Sequence, residues 1–165
     1  MGMDNRLAEL VGETRRLASH DDPGGALARV CAYLLREVPH YDWVGYYLAV
    51  PDEKVLLLGP FEGAPTEHVR IAYGTGVCGQ AAERGDRFVV PDVNAQDNYL
   101  ACSLETRAEV VVPVYHEGRF VGELDIDSHT TNPFTRFDDC LLEEVVRITA
   151  PLVAELDEPI RRRAR

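Results

Sequence analysis

Apolar positions recur along the chain with two different periods, and the changes of period mark its elements. In residues 4 to 19, Leu7, Leu10, Val11, Leu17 and Ala18 return at roughly helical spacing. A second helix follows. Asp22 offers a cap, Pro23 suits the first turn, and Leu27, Val30, Cys31, Leu34, Leu35 and Val38 form one stripe until Pro39 stops it. The period then shortens to two. Trp43 to Leu48 and Val55 to Leu58 read as a hairpin around the turn Pro51 to Lys54, with Gly59-Pro60-Phe61 expected to end its second strand.

A short third strand is expected over Val69 to Tyr73. The turn Gly74 to Gly79 leads into a short helix, Val77 to Glu83. That turn lacks the lysine and spacing of a phosphate loop, but its backbone N–H groups could hold a carboxylate. Arg87 to Val90 is another strand, and Pro91 to Ala101 is a polar loop with no period, of a length that often covers a site. A second hairpin pairs Glu109 to Tyr115 with Arg119 to Asp127 around His116-Glu117-Gly118. The last helix, about Phe137 to Leu156, has a broad apolar face that includes Leu141, Leu142, Val145, Leu152 and Val153, and Pro151 is expected to kink it or to remove one of its hydrogen bonds.

These elements predict an α+β fold. A mostly antiparallel central sheet carries the N- and C-terminal helices on one face and a loop-covered pocket on the other. With 165 residues the chain reads as a single domain able to bury a core. Residues 1–39 supply the N-terminal helices, 40–128 the sheet and pocket, and 129–165 the C-terminal helix and a basic tail. The terminal stripes serve an intramolecular core or a homodimer equally well.

Charge narrows the partners. A net charge of −11 argues against nucleic acid or an anionic membrane, and the basic run Arg161 to Arg165 reads as a solvated end. No run of eighteen apolar residues and no signal-like N-terminus is present, so a cytoplasmic location is expected. The four cysteines form no C-x-x-C pair and should be thiols in that compartment. Cys31 and Cys140 lie on or beside helical stripes and read as structural.

The chemistry concentrates between Asp92 and Ser128. Cys102 ends the polar loop, Glu109 opens a strand, and Asp125 and Asp127 are two apart, so both face one side of theirs. Solvent-facing strand acids are the plain alternative, since Leu124 and Ile126 alternate with them. Trp43, Tyr46 and Tyr47 are strand aromatics, one of which could wall the pocket. A zinc site from His68, Cys78, Cys102 and His129 has no standard ligand spacing behind it, so no metal is expected.

Tyr41-Asp42-Trp43-Val44-Gly45, Leu58-Gly59-Pro60-Phe61, Gly76-Val77-Cys78-Gly79, Val89-Val90-Pro91-Asp92-Val93, Ala101-Cys102, Glu109 to Pro113 and Leu124 to Ser128 occur in this order. Together they resemble the free methionine-(R)-sulfoxide reductases, which are single GAF domains. The resemblance implies a closed pocket for free L-methionine-(R)-sulfoxide, cysteines at 102 and 78, carboxylates at 109, 125 and 127, and recycling by thioredoxin. The chain departs from the family at His68, where counting back from Cys78 places a third cysteine, in the loop Asn98-Tyr99-Leu100, and in Ser103-Leu104-Glu105-Thr106 after Cys102.

Sulfoxide reduction needs a thiolate to attack sulfur and a proton donor to the oxygen, leaving a thioether and a cysteine sulfenic acid. Cys102 is the nucleophile on this reading, and Cys78 is the second thiol if the loop brings it near. Among Glu109, Asp125 and Asp127, crowding keeps one acid protonated as donor while the others hold the ammonium of a free amino acid. Trp43 and Tyr46 complete the expected substrate contacts. No bound cofactor is expected; the reductant is thioredoxin or another thiol. The rival reading is a non-catalytic GAF module that binds a small molecule, and a third is a dimer-forming module without a ligand.

Overall fold

The computed structural model describes residues 2–19, 21–100 and 103–163, with the backbone alone for residue 161. Two helices, α1 (Met3–Ala18) and α2 (Pro23–Glu37), precede strands β1 (Trp43–Val50), β2 (Val55–Glu62) and β3 (Arg70–Ala72). Helix α3 (Gly76–Arg84), strand β4 (Phe88–Val90), a 3-10 turn (Val93–Ala95), strands β5 (Ala108–His116) and β6 (Arg119–Ser128), and helix α4 (Arg136–Arg163) follow. The six strands form one sheet in the order β3-β2-β1-β6-β5-β4, and every neighbouring pair is antiparallel.

Alternation along the central strands gives the sheet two buried faces. Val44, Tyr46 and Leu48 of β1, Val110, Val112 and Val114 of β5, and Leu124 and Ile126 of β6 join the core beneath α1, α2 and α4. Trp43, Tyr47, Leu56 and Val111 face the other way, against Val77, Cys78, Ala81 and Ala82 of α3. The second core is the smaller one, and it surrounds the acids of the sheet centre.

Two elements run further than their sequence suggests. β2 continues through Gly59-Pro60-Phe61 to Glu62, pairing Phe61 with Gly45 and Glu62 with Val44. The register slips between Gly45 and Tyr47, and such an irregularity accommodates a proline that cannot donate to the ladder. α4 likewise continues to Arg163 with Pro151 and Pro159 inside it, so the basic run as far as residue 163 is helical rather than a loose tail. None of the described helices is long and apolar enough to cross a membrane.

Candidate active site

The sheet register gathers the acids. Glu109 on β5 stands opposite Asp127 on β6, and Val111 opposite Asp125. On the other side of β6, Trp43 stands opposite Asp127, Gly45 opposite Asp125 and Tyr47 opposite Glu123. Leu124 and Ile126 turn into the helix-side core, so Glu123, Asp125 and Asp127 share the face under α3. All four acids are buried, with exposures of 2% for Glu109, 0% for Glu123 and Asp125, and 1% for Asp127. The solvent-facing alternative for the two aspartates is therefore excluded. Glu123 is the residue the sequence reading missed; the period of two that pairs Asp125 with Asp127 extends one step back to it.

α3 brings a thiol onto this cluster. Gly79 packs against the carbonyl of Ala72 so closely that a Cβ there would collide with it, which seats the helix on the end of β3. Cys78, 4% exposed, then donates its thiol hydrogen toward Glu109 Oε1 at 3.7 Å. Donor atoms of Cys78, Glu109 and Asp125 lie within 4.8 Å of one another, close enough to converge on one cationic group. A narrow cavity opens beside them, lined by His68, Ile71, Thr75, Cys78, Leu100 and Glu109, with room for on the order of one water molecule.

The roof of the cavity is pinned to the start of α3. Asn98 accepts from Gly76 N at 3.1 Å and donates to the Gly74 carbonyl at 2.8 Å, while Gln80 Nε2 donates to Asn98 O at 2.9 Å. The Gly76 N–H that the sequence left open for a ligand carboxylate is thus taken by Asn98. Leu100, in the cavity wall, stands two positions ahead of Cys102 in the sequence. Cys102 itself, the expected nucleophile, lies outside the described residues.

The aromatic assignments divide. Trp43 lies on the pocket face, stacked on Phe61 at 5.3 Å between centroids, with Nε1 donating to Ala64 O at 3.0 Å. Its ring covers Gly45, where any Cβ would strike it. Tyr46 does not line the pocket. It faces the helix-side core, and its hydroxyl lies 2.9 Å from Thr149 Oγ1 on α4. Its neighbour Tyr47 holds the pocket side and donates to the His68 carbonyl at 3.0 Å, which fixes His68 at the cavity wall. His129 stands apart from the cavity lining, against Asp42 at 3.5 Å.

Electrostatics follow from the burial. Glu109 is held well above the ordinary glutamate value, first by desolvation and then by the charges of Asp125 and Asp127. Glu123 is raised in the same way, by desolvation and then by Asp125. Desolvation also raises Asp125. Among the described residues no lysine, arginine or histidine forms an ion pair with Glu109, Glu123 or Asp125. The cluster can therefore keep protons on some acids and present negative charge to a bound cation with the rest.

The GAF domain model matches residues 24–151. Free methionine-R-sulfoxide reductase of Escherichia coli is 35% identical over 150 residues, covering 91% of this chain and 85% of that protein. GAF domain-containing protein A of Dictyostelium discoideum is 37% identical over 139 residues, 84% of this chain and 82% of that one. An X-ray structure of free methionine-R-sulfoxide reductase from Neisseria meningitidis in complex with its substrate superposes with a TM-score of 0.83 at 34% identity, covering 93% of this chain and 91% of that one. The chain belongs to the GAF-domain family, alongside the free methionine-R-sulfoxide reductases.

Proposed function

We propose that this protein reduces free L-methionine-(R)-sulfoxide to methionine. The observation that carries the reading is the fully buried set Glu109, Asp125 and Asp127, without cationic partners for the first two, beside a cavity walled by the end of the loop that leads to Cys102. Such a set suits a free amino acid, whose ammonium needs buried negative charge. The similarity to the Escherichia coli and Neisseria meningitidis enzymes supports the same substrate.

In this mechanism a neutral acid of the Glu109–Asp125 pair protonates the sulfoxide oxygen while the remaining carboxylates hold the ammonium. The Cys102 thiolate attacks sulfur. The sulfur–oxygen bond breaks, the oxygen passes to Cys102 as a sulfenic acid, and methionine leaves. The bound ammonium offsets the negative field that would otherwise disfavour the thiolate. Cys78 is enclosed on the buried face of α3 with its hydrogen directed at Glu109, which favours an external thiol, thioredoxin or another, to resolve the sulfenic acid.

A thioredoxin-coupled NADPH oxidation assay with the R and S epimers, and with a Cys102→Ser variant, tests this. The expected result is turnover of the R epimer alone, lost in the variant. One equivalent of methionine per chain without recycling would keep the chemistry and remove thioredoxin as reductant. No methionine released at all would overturn the reductase reading and leave a GAF module that binds a small molecule.

A further inference from the structure

Cys78, Glu109 and Asp125 come from α3, β5 and β6, and each brings one donor atom to a common space. The three atoms lie within 4.8 Å of one another. Cys78 Sγ and Glu109 Oε1 are 3.7 Å apart. Tetrahedral zinc, with bonds of about 2.3 Å to sulfur and about 2.0–2.2 Å to a carboxylate oxygen, sets those two ligand atoms about 3.5–3.7 Å apart. The thiol and the glutamate therefore already stand at the spacing of zinc ligands. Asp125 is 0% exposed, and neither of its oxygens has a hydrogen-bond partner among the described residues. Glu109 Oε2 lacks one there too, as do both oxygens of Glu123, two positions before Asp125 on β6. Burial without hydrogen bonds is costly for acid oxygens, and a cation satisfies them directly.

We propose that Cys78, Glu109 and Asp125 form a binding site for a zinc-class divalent cation, and that the bound ion excludes the substrate's ammonium from the same carboxylates. The exclusion rests on the reductase reading above; the metal site itself rests on the donor geometry. The donor set selects the ion. A thiolate with two carboxylates suits zinc, whereas calcium takes about six to eight oxygens and magnesium keeps several waters. The cavity beside Cys78 and Glu109 has room for on the order of one water, which fits the fourth position of a three-ligand zinc site and leaves no space for a magnesium shell. On binding, one zinc–sulfur and two zinc–oxygen bonds form. The S–H bond of Cys78 breaks, as does the O–H bond of the neutral acid in the Glu109–Asp125 pair, and both protons pass to water. One dication replaces two protons, so the net charge of the buried set is unchanged, and nothing changes oxidation state. This set differs from the one the sequence offered, since His129 lies against Asp42, apart from the cavity.

X-ray absorption at the zinc edge, on the reduced wild-type chain with one equivalent of zinc, reads the ligand set without any substitution. The expected shell holds one sulfur at about 2.3 Å and oxygens at about 2.0–2.2 Å. Cys102→Ser should bind zinc as the wild type does. Cys78→Ala and Asp125→Asn, each shown to be folded by circular dichroism, should lose at least about tenfold in zinc affinity. In a single turnover without added reductant, zinc should slow methionine release at low substrate but not at saturating substrate, and a chelator should restore the rate. No zinc bound, a shell without sulfur, or undiminished binding in Cys78→Ala overturns the site. A shell with two sulfurs, lost in Cys102→Ser, gives the ion to the nucleophile and overturns it as well. The expected shell with unslowed release overturns the exclusion alone. A protein that releases no methionine even without zinc overturns the reductase reading, and the zinc-edge spectrum still decides the metal site.

Discussion

The side chain of Asn98 bridges the entrance to α3, accepting from the backbone N–H of Gly76 at 3.1 Å and donating to the carbonyl of Gly74 at 2.8 Å. One amide thereby ties the polar loop to the helix that carries Cys78. Asn98→Ala removes both bonds, at a cost of about 1–2 kcal/mol, given that each is worth about 1 kcal/mol net. The larger expected effect is local. Hydrogen–deuterium exchange over residues 91–100 should accelerate, and KM should rise several-fold while the helix-side core exchanges as before. Unchanged exchange in the loop would show that other contacts close the cavity.

Adjacent tyrosines on β1 serve opposite faces, which separates stability from binding. Tyr46→Phe removes a hydroxyl 2.9 Å from Thr149 Oγ1, but Thr149 still donates to the Val145 carbonyl at 2.9 Å. The expected cost is about 1 kcal/mol in a denaturant titration, with KM for methionine sulfoxide unchanged. Trp43→Leu removes the stack on Phe61 and the bond to Ala64, and should raise KM as well as lower stability. A KM effect from Tyr46→Phe alone would reverse the assignment of faces.

The division between Tyr46 and Tyr47 shows where the sequence stops being readable. A run such as Trp43 to Leu48 announces a strand, but both of its faces are apolar, so the alternation carries no label for inside and outside. Glu123 to Asp127 is more legible, because acid and aliphatic residues alternate there and only burial was missing. The glycine turn before α3 and the second hairpin were legible from turn residues alone. Gly59-Pro60-Phe61 looked like a strand end because proline and glycine disfavour strands, and only the register slip opposite them lets β2 continue. Asn98 was not identifiable at all, since its partners are more than twenty positions away.

The cysteines should differ sharply in reach. Cys31 is fully buried and its thiol is pushed far up by desolvation, and Cys78 is 4% exposed on the sheet-facing side of α3. Native alkylation followed by mass spectrometry should leave both unmodified, while half-buried Cys140 reacts slowly. Cys78→Ser keeps a hydrogen for Glu109 and should still turn over with dithiothreitol as reductant. Cys78→Val removes that hydrogen and should lose at least about tenfold in kcat, in keeping with the share of general acid catalysis in such reactions. A Cys78→Ser protein that stalls with a dimedone-trapped sulfenic acid on Cys102 would instead make Cys78 the resolving thiol.

Stability should fall as pH rises above the ordinary carboxylate range, and the acids under α3 are the cause. Glu109 and Glu123 keep their protons in the fold well above the unperturbed glutamate value of 4.5, because desolvation penalises their charge and neighbouring aspartates add to it. In the unfolded chain both ionise near that value. Below it the two states bind the same protons and the contribution to stability is fully present. Above it the unfolded state has released protons that the folded state retains, so each further rise favours unfolding until the folded groups also titrate. Each such acid steepens the dependence by up to about 1.4 kcal/mol per pH unit. Glu123→Gln removes one of them and introduces no charge. Its urea midpoint should therefore exceed that of the wild type at about pH 8 and fall less between about pH 5 and 8. Parallel slopes for the two proteins would mean that Glu123 is ionised in the fold, and the burial argument for its neutrality would fail.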